Sequence, residues 1–160
     1  MRRIEPRPEV LERFRFPGTY ALLIYLPAQK TLKVGRLAPH RFICGWYLYV
    51  GSAQGPGGVA GRLSHHLGCH KTPRWHLDYL RPWTRPWAVW AAPCAREHGW
   101  AELLGDLPEA QFPVAGFGAS DCRCSAHLVY LSRRPAPALV DRQLARAFPR
   151  DPRPKMIMLS

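Results

Sequence analysis

The 160-residue sequence contains no asparagine, four lysines and only 11 acidic residues. No apolar run approaches the roughly 18 residues that a membrane-spanning helix requires, so no membrane partner is expected. The opening segment, Met1-Arg2-Arg3-Ile4-Glu5-Pro6, lacks the apolar centre of a signal peptide, and the cytoplasm is the expected compartment. The five cysteines are Cys44, Cys69, Cys94, Cys122 and Cys124. An odd number in a chain read as leaderless argues against a disulfide framework. Acids are scarce enough to narrow any search for a cation ligand. Between Gly18 and Leu131 they are Asp78, Glu97, Glu102, Asp106, Glu109 and Asp121.

Arginine is abundant instead. The chain holds 23 Lys+Arg, 19 of them Arg, and carries a net charge of +12 at pH 7. The planar guanidinium fork matches phosphate oxygens, so the excess points to a polyanion such as nucleic acid. A GC-rich coding sequence would also favour Arg and remove Asn, and composition alone does not separate binder from enzyme. With 47% hydrophobic and 11% aromatic residues the chain is not wholly disordered. Its length suits one domain with a self-sufficient core.

Residues 1–17 are rich in Pro and Arg, with a short helix expected at 10–14, and read as an N-terminal extension. Residues 20–26 form an apolar run, residues 31–37 alternate, and residues 45–51 are aromatic and β-branched. These read as three strands, antiparallel neighbours on the strength of their short connections. After Gly55-Pro56-Gly57-Gly58, the apolar residues Val59, Leu63 and Leu67 recur at helical spacing, with Arg62 and His66 together on an adjoining face. A short helix is expected at 75–80, a strand at 87–92, a helix at 95–104, a loop or short strand at 112–118 and a last strand at 127–131. Beyond Arg133 the chain is basic and Pro-rich, read as a tail (residues 133–160) with one amphipathic stretch at 139–148. The core domain is thus expected over residues 18–132.

The residues with the most chemistry lie on separate elements that can converge. They are Tyr20, Tyr49, Arg62, His66 and Glu97. Such a set suits phosphodiester hydrolysis. A carboxylate can hold a divalent cation that polarises the phosphate. A guanidinium can neutralise the pentavalent phosphorus. A tyrosine hydroxyl can position or deprotonate water. Each residue also has an ordinary explanation: strand aromatics, a solvated helix arginine, a carboxylate favoured at a helix N-terminus.

Gly18-Thr19-Tyr20, Tyr49-Val50-Gly51 and the helical Arg62 resemble the signature of the GIY-YIG nuclease superfamily. Four further segments resemble one branch of it, a domain-of-unknown-function group found alone or fused to endonuclease-III-type glycosylases. They are Tyr49-Val50-Gly51-Ser52-Ala53, Gly57-Gly58, Trp75-His76-Leu77-Asp78-Tyr79-Leu80, and the run from Gly116 to Cys124 with His127-Leu128. The resemblance spans about Gly18 to Leu131. It implies an α+β fold, a small central antiparallel sheet flanked by helices. It also implies a metal-dependent DNA endonuclease, with a role in DNA repair. The roles it implies are catalytic for Tyr20, Tyr49, Arg62, His66 and His76, and metal-holding for Glu97 with one Mg²⁺ or Mn²⁺. Gly51, Ser52, Gly57, Gly58 and Arg74 are implied nucleic-acid contacts. Thr19 stands where isoleucine is usual, an extra hairpin separates the two motifs, and Glu97-His98 replaces a usual Glu-Cys. The late asparagine of many members is missing, leaving Ser120, Asp121, Ser125 or His127 for its role. A non-catalytic nucleic-acid-binding module on the same fold is the alternative.

Three other patterns compete. Cys122, Cys124 and His127 could bind Zn²⁺ with Cys94, His98 or Cys69 as a fourth ligand, but paired Cys ligands are more often two to four residues apart, and a tight Asp-Cys-x-Cys turn buried in the core is the default reading. Gly55-Pro56-Gly57-Gly58-Val59-Ala60 matches a dinucleotide-binding fingerprint, but the flanking strands read as antiparallel hairpins and Asp78 does not end a strand, as a βαβ unit demands. Trp75, Trp83, Trp87 and Trp90 alternate with Arg74, Arg81 and Arg85, a pattern able to stack bases and hold phosphates.

Overall fold

A computed structural model describes residues 7–68, 72–119, 126–146 and 148–159. The chain opens with helix α1 (Pro8–Leu11) and a 3₁₀ turn (Glu12–Phe14). Strand β1 (Gly18–Leu26), the small strands β2 (Lys30–Leu32) and β3 (His40–Phe42), and strand β4 (Gly45–Ala53) follow. Next come helices α2 (Gly58–Leu67) and α3 (His76–Leu80), β5 (Arg85–Ala92), α4 (Glu97–Gly105), β6 (Leu128–Leu131), α5 (Pro137–Arg146) and β7 (Lys155–Met158). Five strands make one antiparallel sheet in the order β6-β4-β1-β5-β7. The fold is α+β, a central antiparallel sheet with helices on both faces.

Strand period sorts the two faces. Tyr20, Leu22, Ile24 and Leu26 of β1, with Tyr47 and Tyr49 of β4, pack against Val59, Leu63 and Leu67 of α2 and Leu77 and Leu80 of α3. The intervening Ala21, Leu23, Leu48 and Val50 pack against Trp100 and Leu104 of α4 and Val140 and Leu144 of α5. Tyr20 and Tyr49 therefore both lie on the α2 side. The near-continuous apolar run of β1 has this cause: the strand is central and covered on both faces.

The expected three-strand meander is corrected in one respect. The first and third expected strands pair directly, Tyr20 opposite Gly51 and Leu22 opposite Tyr49. The second is shorter than residues 31–37 and forms a separate two-stranded hairpin with His40–Phe42. Gly35, at φ 52°, turns the chain out of that strand, and Val34 drops into the core.

The segments read as an extension and a tail both enter the core. Leu11 and Phe14 are buried against α2. The Phe16 carbonyl accepts the Val59 N–H at 2.9 Å, latching the segment to the start of α2. Gly58, at φ 58°, is required here, because a Cβ would collide with the Phe16 backbone. Beyond Arg133, α5 buries Val140 and Leu144, and β7 pairs with β5 as an edge strand. The Trp90 indole N–H donates to Asp141 at 2.6 Å, holding α5 to the sheet. The short, exposed β7 is masked in the sequence by the prolines before it.

Candidate functional site

β1, β4 and α2 bring together four of the expected catalytic residues. The Tyr20 hydroxyl lies 2.7 Å from His66 Nε2. The Tyr20 and Tyr49 ring centroids are 6.3 Å apart, and His66 is 5.9 Å and 5.8 Å from them. Arg62, one helical turn before His66, is close enough to Tyr20 for its charge to favour the phenolate. Burial outweighs that pull: desolvation, then Tyr49, keep Tyr20 ionisation well above the ordinary tyrosine range. Tyr20 is therefore a neutral phenol at rest.

Gly51 makes the arrangement possible. It stands opposite Tyr20 in the β1–β4 ladder, and a Cβ there would overlap the Tyr20 ring and hydroxyl. The glycine after Tyr49-Val50 is thus a packing requirement of Tyr20. Gly58 is likewise buried, against Phe16. Of the five expected nucleic-acid contacts, Gly57 and Arg74 are exposed and Ser52 partly so, its hydroxyl accepting from Gln54 Nε2 at 3.1 Å.

The cluster continues to a residue not singled out as a site residue, Asp78. Its Oδ1 lies 2.9 Å from His66 Nδ1. Its Oδ2 lies 3.0 Å from His65 Nε2 and accepts the Arg74 and Trp75 backbone N–H groups at 2.9 Å and 3.0 Å. As the third residue of α3, Asp78 reaches back to the residue before the helix, the acidic half of a capping box. Burial raises Asp78, but the bonds from His66, Trp75 and Arg74 outweigh it and hold the carboxyl well below the usual range. His66 is pushed down, chiefly by burial, with Asp78 opposing and Arg62 and His65 adding to the fall. Trp75 lies under the Arg62 guanidinium, 3.9 Å from the ring centre, and against both histidines. The sequence signal for Asp78 was its place in Trp75-His76-Leu77-Asp78 among few acids.

His76 is placed elsewhere. Its Nδ1 accepts the Gly118 N–H at 2.8 Å, its ring packs on Phe117 at 5.6 Å, and burial lowers its pKa. This fastens the 112–119 loop to α3 and leaves that nitrogen no part in the tyrosine cluster.

Glu97 is the first residue of α4. Its charge acts on Tyr20 and disfavours the phenolate. His127 Nδ1 lies 3.1 Å from Glu97 Oε1, and the carboxylate side chain is 26% exposed. Thr19 positions this region. Fully buried, it donates to the Cys94 carbonyl at 2.8 Å and accepts the Arg96 N–H at 3.0 Å. The hydroxyl where the resemblance has isoleucine thus fixes the approach to α4. Arg96 in turn pairs with Asp151 at 2.7 Å and 3.3 Å, tying that approach to the C-terminal segment.

Cys122 and Cys124, like Ser120, Asp121, Ser125 and Cys69, lie outside the described residues. Among the described residues no group of three or more His, Cys, Asp or Glu side chains could hold a metal ion, and no helix is long and apolar enough to cross a membrane. His127, the remaining member of the Zn²⁺ alternative, is buried and directs Nδ1 to Glu97.

A family model described as Domain of unknown function DUF123 matches residues 19–148. The chain belongs to the DUF123 family. No curated protein and no solved structure matches it. The DUF123 match begins at Thr19, takes in Tyr20, Tyr49, Arg62, His66, Asp78 and Glu97, and runs through α5. The DUF123 unit therefore includes α5, within the segment read from sequence as a tail.

Proposed function

We propose that this chain is a metal-dependent DNA endonuclease of the GIY-YIG type. The observation that carries the reading is the 2.7 Å contact of Tyr20 with His66 Nε2 beside Tyr49 and Arg62. Tyr20 is the base in this scheme, because the His66 imidazole is bonded to its hydroxyl. A water bound for the phosphorus gives its proton to the Tyr20 oxygen as Tyr20 passes its own to His66. Tyr49 packs beside that pair and orients it. Arg62, partly exposed and braced by Trp75, neutralises charge on the phosphorane.

One partly exposed carboxylate suits a hydrated Mg²⁺ or Mn²⁺, which takes few protein ligands and completes its shell with water and phosphate. Glu97 fits that role, with His127 orienting it through Oε1. The ion, when bound, would polarise the phosphate. The excess of 12 positive charges supplies sequence-independent attraction to DNA, and the cytoplasm is the expected compartment.

One observation favours a second reading. Tyr20 is fully buried and Tyr49 only 4% exposed, as suits a module that binds nucleic acid without cutting it.

Purified protein incubated with nicked, flapped and branched DNA plus Mg²⁺ or Mn²⁺ separates the two. The endonuclease reading expects metal-dependent cuts that vanish in Glu97→Ala and Arg62→Ala. Cleavage surviving either substitution overturns the site assignment. Salt-sensitive DNA binding without cuts selects the binding module.

A further inference from the structure

We propose that Asp78 is a positioning residue that holds His66 as the Nδ1–H tautomer and so presents Nε2 as the acceptor of the Tyr20 proton. This rests on the nuclease reading of the Tyr20 site and adds a residue to it.

The argument is one of hydrogen-bond bookkeeping. An ionised carboxylate only accepts. His66 Nδ1 faces Asp78 Oδ1 at 2.9 Å, so Nδ1 carries the hydrogen. A neutral imidazole has one N–H, and Nε2 is then the lone-pair nitrogen. It faces the Tyr20 hydroxyl at 2.7 Å, and the hydroxyl is left to donate. The groups facing His66 agree with a neutral resting ring. Arg62 and His65 on its own helix disfavour the imidazolium, Tyr49 and Trp75 pack against it, and Asp78 is the acid beside it.

The proton step balances within these groups. The Tyr20 O–H bond breaks and an Nε2–H bond forms, while the Tyr20 oxygen takes the proton of the attacking water. The hydroxide pair makes the new P–O bond, and the opposite P–O bond breaks with its pair on the leaving oxygen. That oxygen takes up one proton, and His66 releases one to reset the site. Asp78 stays ionised throughout and stabilises the imidazolium.

The second carboxylate oxygen makes Asp78→Asn a sharp test. Oδ2 gathers three donors: His65 Nε2 and the Arg74 and Trp75 amides. An asparagine has one carbonyl oxygen, and those donors claim it. Its NH₂ then faces His66 Nδ1, which must accept. The imidazole hydrogen moves to Nε2, and Tyr20 meets a donor where it needs an acceptor. The bonds that cap α3 survive, so the substitution reports on wiring rather than folding.

Two readouts on the full chain decide it. Long-range ¹H–¹⁵N spectra of uniformly labelled protein above pH 7.5 should show His66 protonated at Nδ1, and at Nε2 in Asp78→Asn. Cleavage of the DNA substrate that the endonuclease test identifies should fall by about 10³- to 10⁴-fold in kcat with KM little changed, as when a buried carboxylate–histidine pair is put in the wrong tautomer. Wild-type His66 protonated at Nε2 overturns the proposal with no variant needed. So does an Asp78→Asn protein with an unchanged tautomer, or one that cleaves within a few-fold of wild type. A wild-type protein that cuts nothing refutes the nuclease reading, and the spectra still decide whether Asp78 sets the tautomer.

Discussion

Replacing Thr19 by valine keeps the shape of a fully buried side chain and removes only its hydroxyl. That hydroxyl makes two bonds, to the Cys94 carbonyl at 2.8 Å and from the Arg96 N–H at 3.0 Å. Each is worth about 0.5–1.5 kcal/mol, and partners left unmade in a partly enclosed site cost at least as much. The sum is about 2 kcal/mol. For a domain of this size it lowers Tm by about 4–8 °C. Urea denaturation followed by tryptophan fluorescence measures it, with an unchanged slope showing that the two end states are intact. Thr19→Ser is the control. It keeps both bonds and loses one buried methyl, costing about 1 kcal/mol. The expected order is Val worse than Ser. A valine cost below about 0.5 kcal/mol, or serine worse than valine, refutes the claim that this hydroxyl holds the approach to α4. The variant carries a site consequence too, because Glu97 is the residue after Arg96. On the proposed endonuclease reading, Thr19→Val should weaken metal-dependent cleavage more than Thr19→Ser does.

Gly51→Ala should cost about 1–3 kcal/mol by overpacking, since its Cβ would displace the Tyr20 ring; a Tm unchanged within 1 °C would show that Tyr20 has room to move. Truncation after Ser132 removes Val140, Leu144 and Leu159 from the core and strips β7 from β5. At about 1.5–3 kcal/mol per buried side chain, the loss rivals a domain's whole stability; the truncated chain should lack a cooperative thermal transition by circular dichroism. Burial lowers the pKa of His66 and of His76 from 6.5. The unfolded chain therefore binds protons first as pH falls, so stability should be flat well above 6.5 and decline as pH falls through and below that value. Urea midpoints across that range should fall for wild type and fall less for His76→Gln; an unchanged slope in the variant would count against His76.

Elements whose pattern is local were legible from sequence. The β1 run, the helical spacing of Val59, Leu63 and Leu67, and the aromatic β4 each sit in the structure within two or three residues of their expected bounds. What local pattern misses is partner choice. Residues 31–37 alternate like a strand, yet only Lys30–Leu32 pairs, with His40–Phe42. Strand β7 follows a Pro-rich stretch and is half exposed along Lys155–Met158, so no period marks it. It is a strand because the β5 edge needs covering. Leu11 and Phe14 likewise read as part of a loose extension, and they are buried because α2 offers them a face.

The site divides on the same line. Tyr20, Tyr49, Arg62 and His66 could be chosen by residue type and spacing, and the fold brings them within reach of one another. His76 met the same criteria, yet its Nδ1 is committed to the Gly118 amide; type and spacing say nothing of which neighbour a nitrogen meets. Asp78 and Thr19 show the converse. The bonds of Thr19 span 75 and 77 residues, and Asp78 reaches His66 across 12 residues and a change of helix. No spacing rule encodes such links. The shortage of acids nonetheless narrows the field. Asp78 is taken by four donors, Asp141 by the Trp90 indole and Asp151 by Arg96. Those three carboxylates hold the fold and its wiring in place. Glu97 is exposed to a similar extent as Asp151, and differs from all three in that its charge acts on Tyr20. On the proposed endonuclease reading, that link to Tyr20 is what selects Glu97 from the few acids of a chain with 23 cations.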